Sequence, residues 1–410
     1  MNVGIFAYTG DSAALETGVT TYNRVLVSEL CLAYPDNKYF LYLSKNNASR
    51  YDDIEFNNLT KIVLNTKDIY AKFYDYRYLG FLIRIINEAL SSLCVRRGFS
   101  PLGLKFDSFK NLDFFVYTVF DYLVEVPVYF KKVSGKTTIS VLHDIRSYYG
   151  SIGRNSFVEY PYVCYWKRIT KRMLKSSDLS LVTSNYIKNY VVEKFKLNKE
   201  NVYVSYAIPN LNLGNCNRVA SNDELIKKYN LPDKFIFYPS TIVKTKNHAN
   251  IVRALGVLLN KGIVVHLVLC GTNAESRLYR DIKKIAESLG LSGCVLHIGF
   301  VDEGEKRAIY KLANSTVVPS IGESFCLSIW EAFWLGCPVV ASSDRDIPEQ
   351  VGDAALICDP LDPEDIAEKI RIFWEDDGLR SEYAKKGYDR VSSLSGQTLL
   401  GEWSGILSAH

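Results

Sequence analysis

The sequence predicts an α/β protein built from two doubly wound parallel-sheet domains. Its 410 residues exceed the ~100–200 residues of a usual single domain. Short β-branched and aromatic runs alternate with longer amphipathic segments along the whole chain, as strands alternate with covering helices in parallel sheets. The composition, 48% hydrophobic and 23% charged, is that of a globular protein and excludes disordered and collagen-like classes.

The first half of the chain predicts one complete sheet. A helix is expected over Val19–Ala33, and another near Leu82–Leu93, where apolar residues recur every three or four positions and would face the core. The predicted strands of this domain are Val3–Ala7, Tyr39–Leu43, Lys61–Leu64, Phe114–Tyr117, Thr138–Leu142, Leu179–Val182 and Val202–Ser205.

The second half restarts the same pattern after a polar, irregular stretch. Residues 209–222 show neither strand nor helix periodicity, so they are predicted to link a first domain, residues 1–208, to a second domain, residues 223–394. The apolar segment within residues 395–410 is expected to pack back on the first domain. The predicted strands of the second domain are Phe235–Tyr238, Val264–Leu269, Val295–Ile298, Ser315–Val318, Pro338–Ala341 and Ala355–Cys358.

Several features favour a cytoplasmic protein. The amino terminus resembles a strand rather than a signal peptide. The most apolar window, residues 79–95, is interrupted by charged residues and is shorter than the ~20 residues of a spanning helix. The nine cysteines form no C-x-x-C pair, which disfavours a disulfide framework or a zinc site.

Polar residues follow several predicted strands, where ligands bind in open α/β sheets. His143 follows one strand of the first domain. In the second domain, Lys244 and Lys246 follow the first strand, Gly271 the second, and Glu323 the fourth. We therefore expect these residues to surround one ligand site.

The most informative stretch is PSIGESFCLSIWEAFWLGCPVVAS, residues 319–342. Ser324 is predicted to open a helix that ends at Gly336, which suits a left-handed helix terminus. Glu323 would then stand at the helix entrance and Glu331 two turns inside. Free backbone amides at such an entrance form an anion site suited to a diphosphate.

These residues resemble the retaining nucleotide-sugar glycosyltransferases of family 4, which have the GT-B fold of two Rossmann-like domains facing a central cleft. The family's glutamate, seven residues, glutamate pattern is similar to Glu323, SFCLSIW, Glu331. The resemblance extends over nearly the whole chain, through the segments YPSTIVKTKNH (238–248), VLHDI (141–145), LVTSNYIK (181–188) and IPEQVGDAAL (347–356).

The resemblance implies a role for each matching residue. Lys246 would neutralise the departing diphosphate, Glu331 would bind the ribose hydroxyls, and Glu323 and His143 would contact the transferred sugar. Catalytic roles therefore fall to Glu323, Lys246 and His143. The implied donor-binding residues are Glu331, Thr241, Lys244, Gly271, Ser324, Phe325, Cys326, Leu327 and Gly18.

The resemblance also implies the reaction. A hexosyl group would pass from a UDP- or GDP-sugar to a hydroxyl of a glycan or lipid-linked acceptor, with retention of the anomeric configuration and without a metal or other cofactor. The departing diphosphate would take the acceptor proton. The sequence Asp344-Arg345-Asp346 spells a metal-binding D-x-D pattern, but its place in the loop that follows the strand Pro338–Ala341 predicts an ordinary turn.

Two departures from the family pattern leave alternatives open. Thr241 occupies the place of an arginine, for which Lys244 is the candidate substitute, and Ser324 and Cys326 replace glycines. The alternatives are a nucleotide-sugar epimerase of the same architecture and a non-catalytic nucleotide-sugar-binding protein. A dehydrogenase is disfavoured because no G-x-G-x-x-G pattern follows the first strand.

The charge of the chain is unevenly distributed. Residues 1–220 hold 28 Lys and Arg against 19 Asp and Glu, a net charge of +9, whereas the remainder holds 21 against 26, a net charge of −5. The segment Tyr160–Lys175 interleaves aromatic and basic residues, which suits peripheral contact with anionic lipid or an ordinary solvated face. Nucleic acid is not an expected partner, because it would leave the paired glutamates unexplained.

Overall fold

The chain forms two compact units, the first comprising Met1–Ala207 with Thr398–His410 and the second comprising Ile208–Gln397. The structure is a computed structural model. It describes residues 1–7, 18–45, 47–64, 109, 111–118, 136–143, 159–206, 221–272, 276–394, 403 and 405–407. The predicted helix near Leu82–Leu93 and residues 209–220 of the predicted linker lie outside these ranges. Ser221 and Asn222, at the end of that linker, already cap and begin a helix.

The first unit contains a parallel seven-stranded sheet with the order β3-β2-β1-β4-β5-β6-β7. Its strands are β1 Asn2–Phe6, β2 Lys38–Ser44, β3 Leu59–Leu64, β4 Phe114–Tyr117, β5 Thr137–Leu142, β6 Leu179–Val182 and β7 Val202–Val204. Its helices are α1 Gly18–Ala33, α2 Glu159–Ser176 and α3 Asn185–Phe195.

Burial and capping explain these elements. The strands β4 and β6 are buried at every position, as expected where helices cover both faces of a parallel sheet. Helix α3 begins where the Ser184 hydroxyl accepts from the Ile187 amide, and its last residue, Phe195, is followed by the C-cap residue Lys196, whose φ is 57°. Trp403, Ile406 and Leu407, within the carboxyl-terminal segment of this unit, are buried.

The second unit contains a parallel six-stranded sheet with the order β10-β9-β8-β11-β12-β13. Its strands are β8 Phe235–Pro239, β9 His266–Cys270, β10 Val295–His297, β11 Ser315–Val318, β12 Val339–Ser342 and β13 Leu356–Cys358. Its helices are α4 Asn222–Tyr229, α5 His248–Asn260, α6 Ser276–Ser288, α7 Glu303–Leu312, α8 Leu327–Trp334, α9 Ile347–Val351, α10 Pro363–Glu375 and α11 Asp377–Leu394.

The strand order of the second unit fixes where a ligand can bind. The chain reverses its direction of travel across the sheet between β8 and β11, which are neighbours in space. Loops leave the carboxyl ends of these two strands in opposite directions, so a crevice opens between them. The loops after β8 and β11 carry Lys246 and Glu323, respectively.

Every strand predicted from the sequence is present, with ends shifted by at most two residues. The expected two-domain α/β architecture of parallel sheets is confirmed. Within the described part of the chain, no helix combines the length and apolar character needed to span a membrane.

Candidate active site

Hydrogen bonds tie the loops after β8 and β11 to each other. The Tyr238 hydroxyl lies 2.8 Å from Ser320 Oγ, and the Ile321 amide donates to the Thr245 carbonyl over 2.8 Å. Asn247 Nδ2 donates to the Pro319 carbonyl over 3.0 Å. These bonds hold both loops at the switch point of the sheet.

The two loops bring Lys246 and Glu323 together. The Lys246 Nζ atom lies 2.7 Å from Glu323 Oε1, and only 18% of the lysine side chain and 5% of the glutamate side chain are exposed. Burial acts to lower the pKa of Lys246, but the Glu323 carboxylate and neighbouring groups hold it above its ordinary value. The lysine is therefore a permanent cation in a site with little water, where its charge acts strongly on a ligand.

Local backbone geometry directs Lys246 into this site. Residues Lys244–Lys246 form a short 3-10 turn, and Asn247 follows in the left-handed conformation with φ 58°. The Asn247 side chain also donates to the Pro360 carbonyl over 2.6 Å. Asparagine tolerates this conformation better than most residues, so it can close the turn and begin α5.

His248 supports the same loop from beneath. Its Nε2 atom lies 2.9 Å from Ser240 Oγ, and its ring packs against Tyr238 with 5.0 Å between centroids. Burial lowers the pKa of His248 to about 3, with a further contribution from the Lys246 cation. The imidazole is therefore neutral at physiological pH and fixes the loop without adding charge.

Gly271 lies where the backbone after β9 passes close to the backbone after β8. Its φ is +137°, and a Cβ atom there would lie 2.5 Å from the Ser240 carbonyl oxygen. Next to it, the Thr241 and Thr272 hydroxyls are 3.4 Å apart. Only glycine suits this position.

Lys244, the candidate substitute for the missing arginine, is exposed to solvent.

The helix after Glu323 begins later than its sequence predicts. We expected Ser324 to open it, but α8 begins at Leu327, with Cys326 as an extended N-cap residue that makes no side-chain capping bond. Ser324 lies in the irregular segment before the helix and is buried. The end of the helix is as predicted: Gly336 has φ 68°, and its amide donates to the Phe333 carbonyl over 3.1 Å.

The expectation of free amides at this helix entrance is wrong for Cys326. Its amide donates to Gln350 Oε1 over 3.0 Å, and its carbonyl accepts from Gln350 Nε2 over 2.7 Å. Burial raises the pKa of the Cys326 thiol to about 11, so the sulfur stays protonated. Phe325 lies beside it, its ring 5.8 Å from that of Trp330.

Glu331 lies one turn after the first residue of α8, Leu327, and its carboxylate accepts hydrogen bonds from a neighbouring helix. Its Oε1 atom accepts from Lys306 Nζ over 3.0 Å, and its Oε2 atom accepts from the Tyr310 hydroxyl over 3.0 Å. Burial acts to lower the pKa of Lys306, but Glu331 and Glu303 hold it above its ordinary value. Sequence reasoning missed Lys306 and Tyr310; their spacing of four residues on α7 is the one signal that they share a helix face.

The first unit holds the two remaining candidates. His143 follows β5, and its Nε2 atom lies 3.0 Å from the Thr118 carbonyl, so this nitrogen carries the proton. The Tyr22 ring meets the imidazole edge to face at 4.6 Å. Burial lowers the pKa of His143 to about 4, which leaves a neutral side chain. Gly18 is the first residue of α1.

The D-x-D sequence forms the turn that was predicted for it, immediately before α9. Asp344 Oδ2 accepts from the Gly322 amide over 2.5 Å, and Arg345 has φ 50°. Asp344 thus anchors the loop that carries Glu323. Among the residues that the structure describes, no group of three or more His, Cys, Asp and Glu is arranged to hold a metal ion.

Solved structures identify the class of fold. The complex of Anabaena Alr3699/HepE with UDP superposes with a TM-score of 0.72 and 16% identity, covering 100% of both chains. Sucrose-phosphate synthase from Thermosynechococcus elongatus superposes with a TM-score of 0.71 and 19% identity, covering 100% of this chain and 98% of the other. The chain has the GT-B fold, as the resemblance implied.

Residues 221–390 match the family model "Glycosyl transferases group 1", so the second unit carries a group 1 glycosyltransferase domain. O-antigen chain mannosyltransferase B of Escherichia coli is 29% identical over 175 residues, which are 42% of this chain and 45% of the relative. D-inositol 3-phosphate glycosyltransferase of Corynebacterium jeikeium is 32% identical over 160 residues, 37% of this chain and 38% of the relative. The chain thus matches less than half the length of these curated relatives.

Proposed function

We propose that the protein is a retaining glycosyltransferase that moves a hexosyl group from a UDP- or GDP-sugar to a hydroxyl of a glycan or lipid-linked acceptor. The observation that carries this proposal is the buried Lys246–Glu323 pair at the switch point of the second unit. A fixed cation in a water-poor crevice is suited to a diphosphate leaving group.

Lys246 supplies the charge that this reaction needs. When the bond between the anomeric carbon and the diphosphate breaks, negative charge gathers on the departing oxygen. A preorganised cation stabilises that charge without reorganisation, and removing one such group typically costs roughly 10²–10³ in rate. Lys246 is held in place by Glu323 and by the loop bonds, so its position is set before the donor binds.

Glu323 and Glu331 are proposed to hold the two ends of the donor. Glu323 would accept hydrogen bonds from hydroxyls of the transferred sugar, and Glu331 would accept from the ribose. Both are carboxylates with buried or half-buried side chains, and such groups bind hydroxyl donors strongly. They orient the donor so that one face of the anomeric carbon is open to attack.

The proposed reaction needs neither a covalent enzyme intermediate nor a metal. The acceptor oxygen bonds to the anomeric carbon, the bond to the diphosphate oxygen breaks, and the acceptor proton passes to the departing diphosphate on the same face. The neutral thiol of Cys326 is not poised to act as a nucleophile. Lys246 takes the charge-neutralising role that a divalent metal has in other enzymes.

The relatives support a hexose donor and a role in polysaccharide synthesis. One relative is named for mannosyl transfer to O-antigen chains, and one structural neighbour was solved with UDP-glucose. Helix α2 adds a candidate membrane contact: Lys167, Arg168, Lys171 and Lys175 are exposed along it. We propose that this basic helix face approaches anionic head groups near a lipid-linked acceptor.

The test is a panel of UDP- and GDP-sugars measured by thermal shift, followed by product analysis with glycan acceptors. A donor that binds only the folded chain raises the midpoint of unfolding, by an amount that grows with the logarithm of its concentration relative to the dissociation constant. The proposal expects one donor to bind, transfer to persist in excess EDTA, and the product to keep the donor's anomeric configuration. An inverted product, an epimerised donor without transfer, or binding without turnover would each reject it.

A further inference from the structure

We infer that Lys306 is a positioning residue that aims the Glu331 carboxylate at the vicinal ribose hydroxyls, and thereby gives the site its preference for ribonucleotides over 2′-deoxyribonucleotides. This inference rests on the proposed function, because it assigns a specificity role within the same donor site. It concerns a residue that the sequence alone does not single out.

The geometry of the carboxylate carries the inference. Lys306 and Tyr310 stand one turn apart on α7, and each donates to a different oxygen of Glu331 over 3.0 Å. The carboxylate plane is therefore fixed by two bonds from one rigid helix. The Tyr310 hydroxyl also lies 3.1 Å from the Ser328 carbonyl on α8, so its single proton is shared between this carbonyl and the Glu331 carboxylate.

The acceptor capacity that remains matches a diol. A carboxylate has about four lone-pair sites, two on each oxygen. Lys306 occupies one site on Oε1 and Tyr310 one site on Oε2, which leaves each oxygen able to accept from one further hydroxyl. Two neighbouring hydroxyls on one sugar ring meet this requirement, whereas a 2′-deoxyribose offers only one of them.

The lysine is built into the unit rather than spread over its surface. Only 17% of the Lys306 side chain and 14% of the Glu331 side chain are exposed. A second carboxylate, Glu303, contacts Lys306 over 2.9 Å, but 64% of that side chain is exposed. Solvent screens an exposed partner strongly, so Glu331 is the partner that Lys306 is placed to serve.

The experiment compares the dissociation constants of UDP and 2′-deoxy-UDP, or of GDP and 2′-deoxy-GDP if guanine is preferred, by calorimetry on the full chain. The wild type is expected to prefer the ribonucleotide by about tenfold or more, the effect of a hydrogen bond to a charged group. Lys306→Met should weaken ribonucleotide binding by about tenfold and bring the preference close to one, while Lys306→Arg should restore part of it. Glu303→Gln is the matched control and should keep the full preference.

A role confined to stability would weaken both nucleotides equally, so an unchanged preference in Lys306→Met overturns the inference while leaving the proposed function intact. If the wild type binds none of UDP, GDP and their 2′-deoxy forms, both the inference and the proposed function are overturned. If Lys306→Met fails to fold, Lys306→Gln and Tyr310→Phe replace it, since each keeps a polar or aromatic side chain of similar size. An unchanged preference in both of these variants is equally fatal to the inference.

Discussion

Lys246 Nζ and Glu323 Oε1 lie 2.7 Å apart, and each residue reaches the other from a different loop at the switch point of the second sheet. The pair is buried, so each charge depends on the other for compensation. The same two residues are proposed to contact the donor's diphosphate and sugar. A substitution in this ion pair is therefore expected to change both the stability of the protein and its activity, and the two effects have to be measured separately.

Paired substitutions separate them. Lys246→Met should destabilise the second unit by about 3–5 kcal/mol, because it leaves the Glu323 carboxylate buried without its cation, and should lower turnover by at least tenfold. Adding Glu323→Gln should recover most of the stability and none of the activity. Urea unfolding and initial rates provide the two measurements.

An exposed ion pair supplies the control for that experiment. Lys385→Met removes a pair with Asp389 whose side chains are 77% and 57% exposed, and the free energy of unfolding should change by less than about 1 kcal/mol. Recovery of turnover in the Lys246→Met, Glu323→Gln double variant would contradict the catalytic assignment of Lys246.

Gly271→Ala should disrupt the loop that carries the donor site. The added Cβ atom would meet the Ser240 carbonyl at 2.5 Å, and the φ of +137° is strained for alanine, so a loss of more than about 2 kcal/mol is expected. Gly293→Ala, at an exposed glycine with nothing within 4 Å, should be nearly neutral. In Gly271→Ala, the midpoint of thermal unfolding and the affinity for nucleotide should both decrease. In Gly293→Ala, neither quantity should change.

Gln350→Leu should loosen the entrance of α8. The substitution leaves the buried amide of Cys326 without its partner, at a cost of about 1–3 kcal/mol. The Cys326 carbonyl loses the Gln350 side-chain amide but still accepts from the Ile329 amide over 3.2 Å. We expect faster hydrogen exchange at the start of α8 and weaker donor binding. Exchange as slow as in the wild type would show that Gln350 does not hold this entrance.

His248 should make the protein less stable in acid. Its pKa is about 3 in the folded chain and about 6.5 when unfolded. Between these values the unfolded state binds more protons, so stability falls as the pH drops from about 6.5 towards 3 and is unaffected by this group above that window. Urea unfolding across this range should show a shallower decline for His248→Gln than for the wild type; equal slopes would refute the assignment.

The strands could be predicted because their signal is local. β-branched and aromatic runs bounded by polar loops identify β8 and β11 directly, and parallel order follows from the alternation with helices. Lys246 and Glu323 were expected in one site because each follows a predicted strand, but their ion pair was not predicted, since no local pattern joins residues 77 positions apart. Their meeting follows from the strand order, in which β8 and β11 are neighbours.

The start of α8 could not be predicted correctly from the local sequence. Ser324 has the side chain of a preferred N-cap residue, yet the helix begins three residues later. Gln350, 24 residues beyond Cys326, satisfies the backbone of that residue, and sequence spacing gives no sign of it. Lys306 was missed for the same reason, because its partner Glu331 lies on another helix.

The first unit is assembled from two distant stretches of chain, and Trp403, which is fully buried in it, belongs to the later one. During translation the ribosome therefore synthesises the whole of the second unit before it adds this tryptophan. Until Trp403 is added, the interior of the first unit lacks this side chain. The nascent chain therefore passes through a stage in which the second unit has been synthesised completely and the first unit has not.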